Sequence, residues 1–472
     1  MAFSTSIESS DMSTLENLFS ELVSNGVTRK ERDYAKTTIC DTVAVAVAAT
    51  RDARSKTLLD TMATSDRVQK GYSPLLGTGA WAHPVDAALH FGFCAHLLDF
   101  DDDETEMAMA HLSAPSLGAA YAVANRAQVG LDHDSLVESY IAGCKAMVVI
   151  GSAWNPKMHA KGWHPTSVLG IFGAAMAAAK GMELSADQTV QAMRLAASLA
   201  SGGRGAFGGM GKPLQVGQAA ASGLRCALLA QADWLASPGA ITGGKGLGVS
   251  LSGEFPQKEP EEPESFPPDG FVTKIFPSCT ATHAAVQLAL DLRKQHTVQE
   301  IEQVECCLDP GAIKILQEEM PSTGDEARFS LAYCVSFAIV HGKLGLSAFG
   351  PGAFSKGDSS DPSVRDLMER IVIVPTDDLP KGPSGIATGA HLQIKSVNGS
   401  VDRATRIAAP GSTSQPTSTA ELDSKWTDCL SQVSGPKHAE RLLPLLKAAS
   451  RVDGITKLND ALREINANGQ VT

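Results

Sequence analysis

The chain has 472 residues, a formal net charge of −12, 43% hydrophobic residues and 19% charged residues, a composition that supplies a buried core and excludes global disorder. That length divides more naturally into two domains than one. The negative charge argues against nucleic acid and against an anionic membrane surface as partners, so an anionic substrate needs a local cationic pocket.

The first residues, Met1 to Asn17, are Ser-rich and carry Glu8, Asp11 and Glu16 with no Arg and no apolar run. They differ from a secretory or transit signal, and a cytoplasmic location is expected. From Leu15 to Gln231 Ala, Leu, Met and Gly dominate with little period-2 alternation, which predicts a helical half. Arg29 to Ala49, opening after Thr28, is expected as a buried helix, and Leu169 to Gly181 and Ala219 to Ala232 as small-residue helices that pack closely. Ser185, with Asp187 and Gln188 behind it, predicts a helix start for a run to Leu199. No stretch approaches the roughly 18–20 uncharged apolar residues that a membrane-spanning helix needs. Even Ile171 to Ala179 stops at Lys180.

Between Glu254 and Asp269 the sequence turns to Pro and acidic residues, which cannot continue a helix and mark a domain boundary. Beyond it, Val304 to Leu308, Ile371 to Val374 and His391 to Ser396 are strand-like, and Asn398-Gly399 signals a hairpin. A Pro-, Ser- and Thr-rich stretch, Ala409 to Thr419, precedes Leu422 to Asn468, which reads as helical again. Nine cysteines lack the paired spacings of a zinc or iron–sulfur site and read as reduced thiols. No metal and no cofactor are expected.

Four segments concentrate groups that can do chemistry. His96 to Asp102, followed by His111 to Pro115, sets carboxylates near histidines, where they can fix a tautomer. In isolation such an acidic run reads as a solvated loop. Lys161 to Ser167 places His164 just ahead of a small-residue helix, whose positive end attracts anions. The plainer alternatives are a satisfied core histidine, or an N-cap by Thr166 or Ser167. Gly208 to Gly217 combines flexible backbone with the point charge of Lys212, without the spacing of a nucleotide-binding phosphate loop. Lys274 to Cys279, with Thr282-His283 after it, carries a lysine that alone would read as surface decoration.

In this order the four segments resemble the MmgE/PrpD family over nearly the whole chain. The family's acidic motif followed by His-Pro-Ser is similar to Asp99 to Ser113, and its Gly-aromatic-His-x-x-Ser motif to Gly162 to Ala175. Its Gly-x-x-x-Lys-Pro motif is similar to Gly208 to Pro213, and its Lys-x-aromatic-Pro motif ending in His to Lys274 to His283. Glu326-Ala327-Arg328 and Tyr333 also correspond. The resemblance implies a mainly α fold with a large all-helical domain, residues 1–268 and 410–472, and a smaller α/β lid domain, residues 269–409. It further implies a homodimer acting without cofactor on a small polycarboxylate. Departures from the usual family residues are Asp103 for Thr, Leu112 for Pro and Gln215 for His. Asp103 is counted with the substrate-binding residues.

The chemistry common to the family is a carbanion or enolate-like state beside a carboxylate. Lys212 and Lys274 are the expected carboxylate clamps and charge stabilisers. His111 and His164 are the expected general acid and base, Asp99 orients an imidazole, and Tyr333 donates to a leaving hydroxyl or a carboxylate. Dehydration of 2-methylcitrate or a 2-alkylcitrate to an aconitate-type alkene is the leading expectation. Decarboxylation of cis-aconitate to itaconate comes second, and epimerisation of an amino- or imino-dicarboxylate third. An inactive carboxylate-binding homologue is the alternative from another class.

Overall fold

The computed structural model describes residues 14–126, 133–253, 260–317, 320–355, 358–359 and 361–467. Most of the Ser-rich N-terminal stretch and the first six residues of the Pro-acidic stretch lie outside the described residues. The chain forms two compact units. One comprises Met1–Leu97, Met107–Asp269 and Cys429–Thr472, the other Leu98–Glu106 and Gly270–Asp428. Helix is the dominant element, with small sheets beside it.

In the first unit, local signals fix the helix starts. The Arg29–Ala49 helix begins at a capping box in which Thr28 accepts from the Glu31 backbone and Glu31 reaches back to the Thr28 N–H. Ser185 and Gln188 make the same reciprocal pair ahead of the Ala186–Ala197 helix, which stops two residues short of the expected Leu199. At the centre, the Ser113–Ala124 and Pro165–Gly181 helices are buried almost throughout, and their sequences are accordingly apolar on every side. Pro165–Gly181 packs against Ser113–Ala124, His133–Trp154 and Gly211–Gln231. Small residues make that approach possible. A Cβ on Gly223 would lie 2.3 Å from the Ile171 carbonyl oxygen, so close packing accounts for the glycine and alanine that dominate this half.

One helix of the first unit bears on the expected absence of a membrane span, and it is not an uncharged run, since Glu138 and Lys145 lie in it. Residues Ser135–Trp154 are long and apolar enough, by length and composition, to cross a membrane. Most of that stretch is buried inside the unit, as the core helix of a globular domain is.

The second unit is built on a four-stranded sheet in the order Val401–Arg406, Ala390–Ser396, Ile301–Leu308, Ile371–Pro375. The first two pairings are antiparallel and the last is parallel. The hairpin turns at Asn398-Gly399, with Gly399 at a φ of 87° and Asn398 Oδ1 accepting from the Ser400 N–H. Burial alternates along Ala390–Ser396, and the Thr280–Leu292 helix packs on this strand and its hairpin partner. Leu331–His341 packs on that helix in turn.

The acidic run overturns its isolated reading as a solvated loop. Residues Leu98–Glu106 join the second unit, where Asp103–Glu104 pairs antiparallel with Phe271–Val272. Asp99, Asp101, Asp102 and Glu104 are all buried. Such carboxylates require buried cations and hydrogen-bond donors.

Candidate functional site

In the first unit, four helix ends bring together three imidazoles and an ammonium. His96 sits in the last turn of Pro84–Leu97, His111 two residues ahead of Ser113–Ala124, His164 at the N-cap of Pro165–Gly181 and Lys212 in the first turn of Gly211–Gln231. The His96 and His111 ring centroids are 4.4 Å apart, edge to face, and those of His96 and His164 are 5.9 Å apart. The His111 N–H donates to Thr166 Oγ1 at 3.1 Å, tying the two expected histidine motifs together. The Phe207 ring stands edge-on to His164 at 5.0 Å, with the Lys212 ammonium 5.4 Å from its centroid. All four polar side chains are buried. Three helix N-termini and a lysine give the cluster a positive potential suited to an anion.

His164 is the most closely held of the three. Its backbone N–H donates to the Gly202 carbonyl at 3.0 Å, and its ring Nδ1 lies 2.8 Å from Gln215 Oε1. Burial, and then the nearby His96, Lys212 and His111, hold its pKa well below the usual histidine range, against an opposing contribution from the Gln215 hydrogen bond. The ring is therefore neutral near pH 7. Its Nε2 is buried with no hydrogen-bond partner among the described residues. A neutral imidazole with an open nitrogen beside cationic groups can accept a proton, and can hold one more readily once an anion is bound.

In the second unit, Lys274 donates to the backbone oxygen and to Oδ2 of Asp99, each at 3.1 Å. Both residues are almost fully buried, and Asp99 adopts a left-handed φ of 50°. Burial works to discharge the lysine, but Asp99, Asp103 and Asp101 outweigh it and hold the pKa above the usual value. Lys274 is thus a buried partner in an ion pair, not surface decoration. Asp103 is half-buried and accepts from Thr280 Oγ1 at 2.7 Å. Two further cations anchor the same acidic segment. Arg328 donates to the Leu98 and Pro277 carbonyls at 2.6 Å, and Lys425 to the Phe100 and Lys274 carbonyls at 2.9 and 2.8 Å.

Tyr333 is fully buried and donates its hydroxyl hydrogen to the Ala348 carbonyl at 2.5 Å. Phe337, Phe349 and Phe354 surround its ring. Burial raises its pKa above the ordinary tyrosine value. An acid role for Tyr333 would require that hydrogen bond to be exchanged.

Of the residues singled out in the sequence, His111, His164 and Lys212 are gathered in the first unit, and Asp99, Asp103, Lys274 and Tyr333 belong to the second. The two lysines expected to clamp substrate therefore belong to different units. In the sequence His96 has a place in the acidic segment but no role, and nothing there points to Phe207 or to the partner role of Gln215. His96 opened the acidic motif three residues before Asp99, a spacing that could have marked it. Nothing local marks Phe207.

A model described as the MmgE/PrpD N-terminal domain matches residues 15–260, and one described as the MmgE/PrpD C-terminal domain matches residues 276–448. The chain is 25% identical over 332 residues to a cis-aconitate decarboxylase of Mus musculus, covering 66% of each chain. It is 24% identical over 408 residues to a cis-aconitate decarboxylase-like protein of Aspergillus oryzae, covering 80% of this chain and 82% of the relative. A cis-aconitate decarboxylase of Aspergillus terreus is 22% identical over 468 residues, covering 94% of each.

Proposed function

The chain belongs to the MmgE/PrpD family, and from that premise we propose that it is a lyase of a small polycarboxylate that decarboxylates cis-aconitate or a close analogue. The observation that carries this reading is the buried cluster of His111, His164 and Lys212 at three helix N-termini with His96 at the C-terminal end of a fourth helix. The names of the similar proteins move decarboxylation ahead of the dehydration expected first from the sequence.

In this reading Lys212 holds a substrate carboxylate beside the imidazoles. The bond from the methylene carbon to its carboxylate breaks and releases carbon dioxide. The electron pair forms a new terminal alkene while the original alkene shifts its density onto the carbon beside another carboxylate. One proton then enters at that carbon, so the trianion consumes one proton in becoming the itaconate dianion. His111 or His164 delivers it. A bound trianion raises imidazole pKa values, which opposes the depression of His164 and charges the cluster when an acid is needed.

A specific observation favours a second reading. In the unliganded protein His164 is neutral with an open Nε2, the state of a base that removes a proton beside a carboxylate and so drives dehydration of a 2-alkylcitrate. Purified protein is to be incubated separately with cis-aconitate and with 2-methylcitrate while carbon dioxide and alkene absorbance are followed. Carbon dioxide from cis-aconitate is the expected result. Alkene formation from 2-methylcitrate alone would replace decarboxylation by dehydration, and no turnover of either would remove the polycarboxylate-lyase reading.

A further inference from the structure

We infer that Gln215 is a positioning residue that holds His164 as the Nδ1–H tautomer and so keeps the Nε2 lone pair available for proton transfer. The orientation of the amide follows from its second contact. Gln215 Nε2 donates to the Gly203 carbonyl at 3.3 Å, which turns Oε1 toward the imidazole. Oε1 can only accept, so the 2.8 Å contact requires a hydrogen on His164 Nδ1. A neutral ring then carries its lone pair on Nε2, which has no hydrogen-bond partner among the described residues.

The surroundings hold both partners in place. His164 N–H donates to the Gly202 carbonyl, Arg204 N–H donates to the Gly162 carbonyl at 2.8 Å, and Ser167 Oγ donates to the Ser201 carbonyl at 2.6 Å. These bonds join the 201–204 loop to the start of the Pro165–Gly181 helix. Gly202 has a φ of 119°, and a Cβ there would come within 2.6 Å of Ser167 Oγ and 3.1 Å of Gln215 Oε1. The loop thus reserves space for this one amide.

Gln and a carboxylate at position 215 would both accept from Nδ1, but only the carboxylate would stabilise the imidazolium. The charged or titratable groups acting on His164 are His96 on the Pro84–Leu97 helix, His111 ahead of the Ser113–Ala124 helix and Lys212 on the Gly211–Gln231 helix. Each is a cation when charged. A neutral amide fixes the ring without offsetting them, so His164 stays deprotonated to lower pH than it would beside a carboxylate.

The kinetic part of this inference rests on the lyase reading; the tautomer does not. Nitrogen-15 correlation spectra of histidine-labelled protein, without substrate, report which ring nitrogen of His164 is protonated, with His164→Gln identifying the resonances. The expected result is a protonated Nδ1 in the wild type, and loss of that single tautomer in Gln215→Met. Gln215→Glu should keep the tautomer and move the limb of the kcat/KM profile that reports His164 to higher pH, the basic limb if His164 delivers the proton and the acid limb if it removes one. Gln215→Met should lower kcat by about 100-fold, the low end of what general acid/base catalysis contributes, with little change in KM. A wild-type His164 protonated on Nε2, or a Gln215→Met spectrum unchanged from wild type, overturns the inference whatever the activity. The expected spectra without turnover of either substrate would instead overturn the proposed function and leave the role of Gln215 standing. If Gln215→Met does not fold, the wild-type spectrum still decides.

Discussion

Replacing Lys274 by Met removes the cation from a buried pair whose Nζ to Oδ2 distance is 3.1 Å, with both side chains at most 5% exposed. At that separation the attraction is about 5 kcal/mol at an effective dielectric constant of about 20. Desolvation of both ions offsets much of it, so the net value of the pair is smaller. Loss of one partner is another matter, because the Asp99 carboxylate is left buried near Asp101 and Asp103 without this counter-charge. A cost of about 3–5 kcal/mol is expected. The lysine pKa is raised, so its contribution is fully present below the ordinary lysine value and is lost only as pH rises through the folded one. Measurement at pH 7–8 therefore captures all of it. Urea unfolding of Lys274→Met, Asp99→Asn and the double variant forms a double-mutant cycle, read on the transition of the second unit. The double variant should be more stable than the sum of the single losses predicts, by up to about 3 kcal/mol. Strictly additive losses, or a Lys274→Met protein within about 0.5 kcal/mol of wild type, would refute the ion-pair argument.

His111→Gln and His164→Gln should each lower kcat by roughly 100- to 10,000-fold with little change in thermal midpoint, followed as carbon dioxide release; early melting with normal turnover of the folded fraction would make that histidine a packing residue. Lys212→Met should fold and lose about 100- to 1,000-fold in kcat/KM, the range for removing a preorganised charge donor, and retained kcat/KM would place Lys212 outside substrate binding. Burial holds His90 at a pKa of about 4 and His283 at about 3, so the unfolded chain binds their protons first as pH falls below the ordinary histidine value. Each should then cost about 1.4 kcal/mol of stability per pH unit between about pH 6.5 and its folded value. Urea titrations at pH 6.5 and 5.0 measure the loss, and equal stability at both would contradict the burial of neutral rings. Chelation should leave turnover unchanged, whereas activity lost to a chelator and restored by a divalent ion would replace the acid/base scheme with metal chemistry.

By itself the sequence determined the elements whose causes are local. Thr28 with Glu31 and Ser185 with Gln188 fix helix starts because each capping box closes within one turn. Asn398-Gly399 fixes the hairpin because the turn needs only its own residues. The sequence likewise placed His164 just ahead of a small-residue helix, and the structure has it at the N-cap of Pro165–Gly181. What only the tertiary structure decided are the features whose partners lie far along the chain. The acidic run from Asp99 to Glu104 resembles a solvated loop until the donors that bury it are known, and these stand 175 residues away in Lys274, 230 in Arg328 and 325 in Lys425. The same holds for His96, whose imidazole gains meaning only beside His111 and His164, and for Gln215, whose acceptor oxygen faces a histidine 51 positions earlier. Charge and proton-transfer chemistry depend on which groups share a low-dielectric interior, and that is set by long-range packing, not by the spacing of neighbours in sequence.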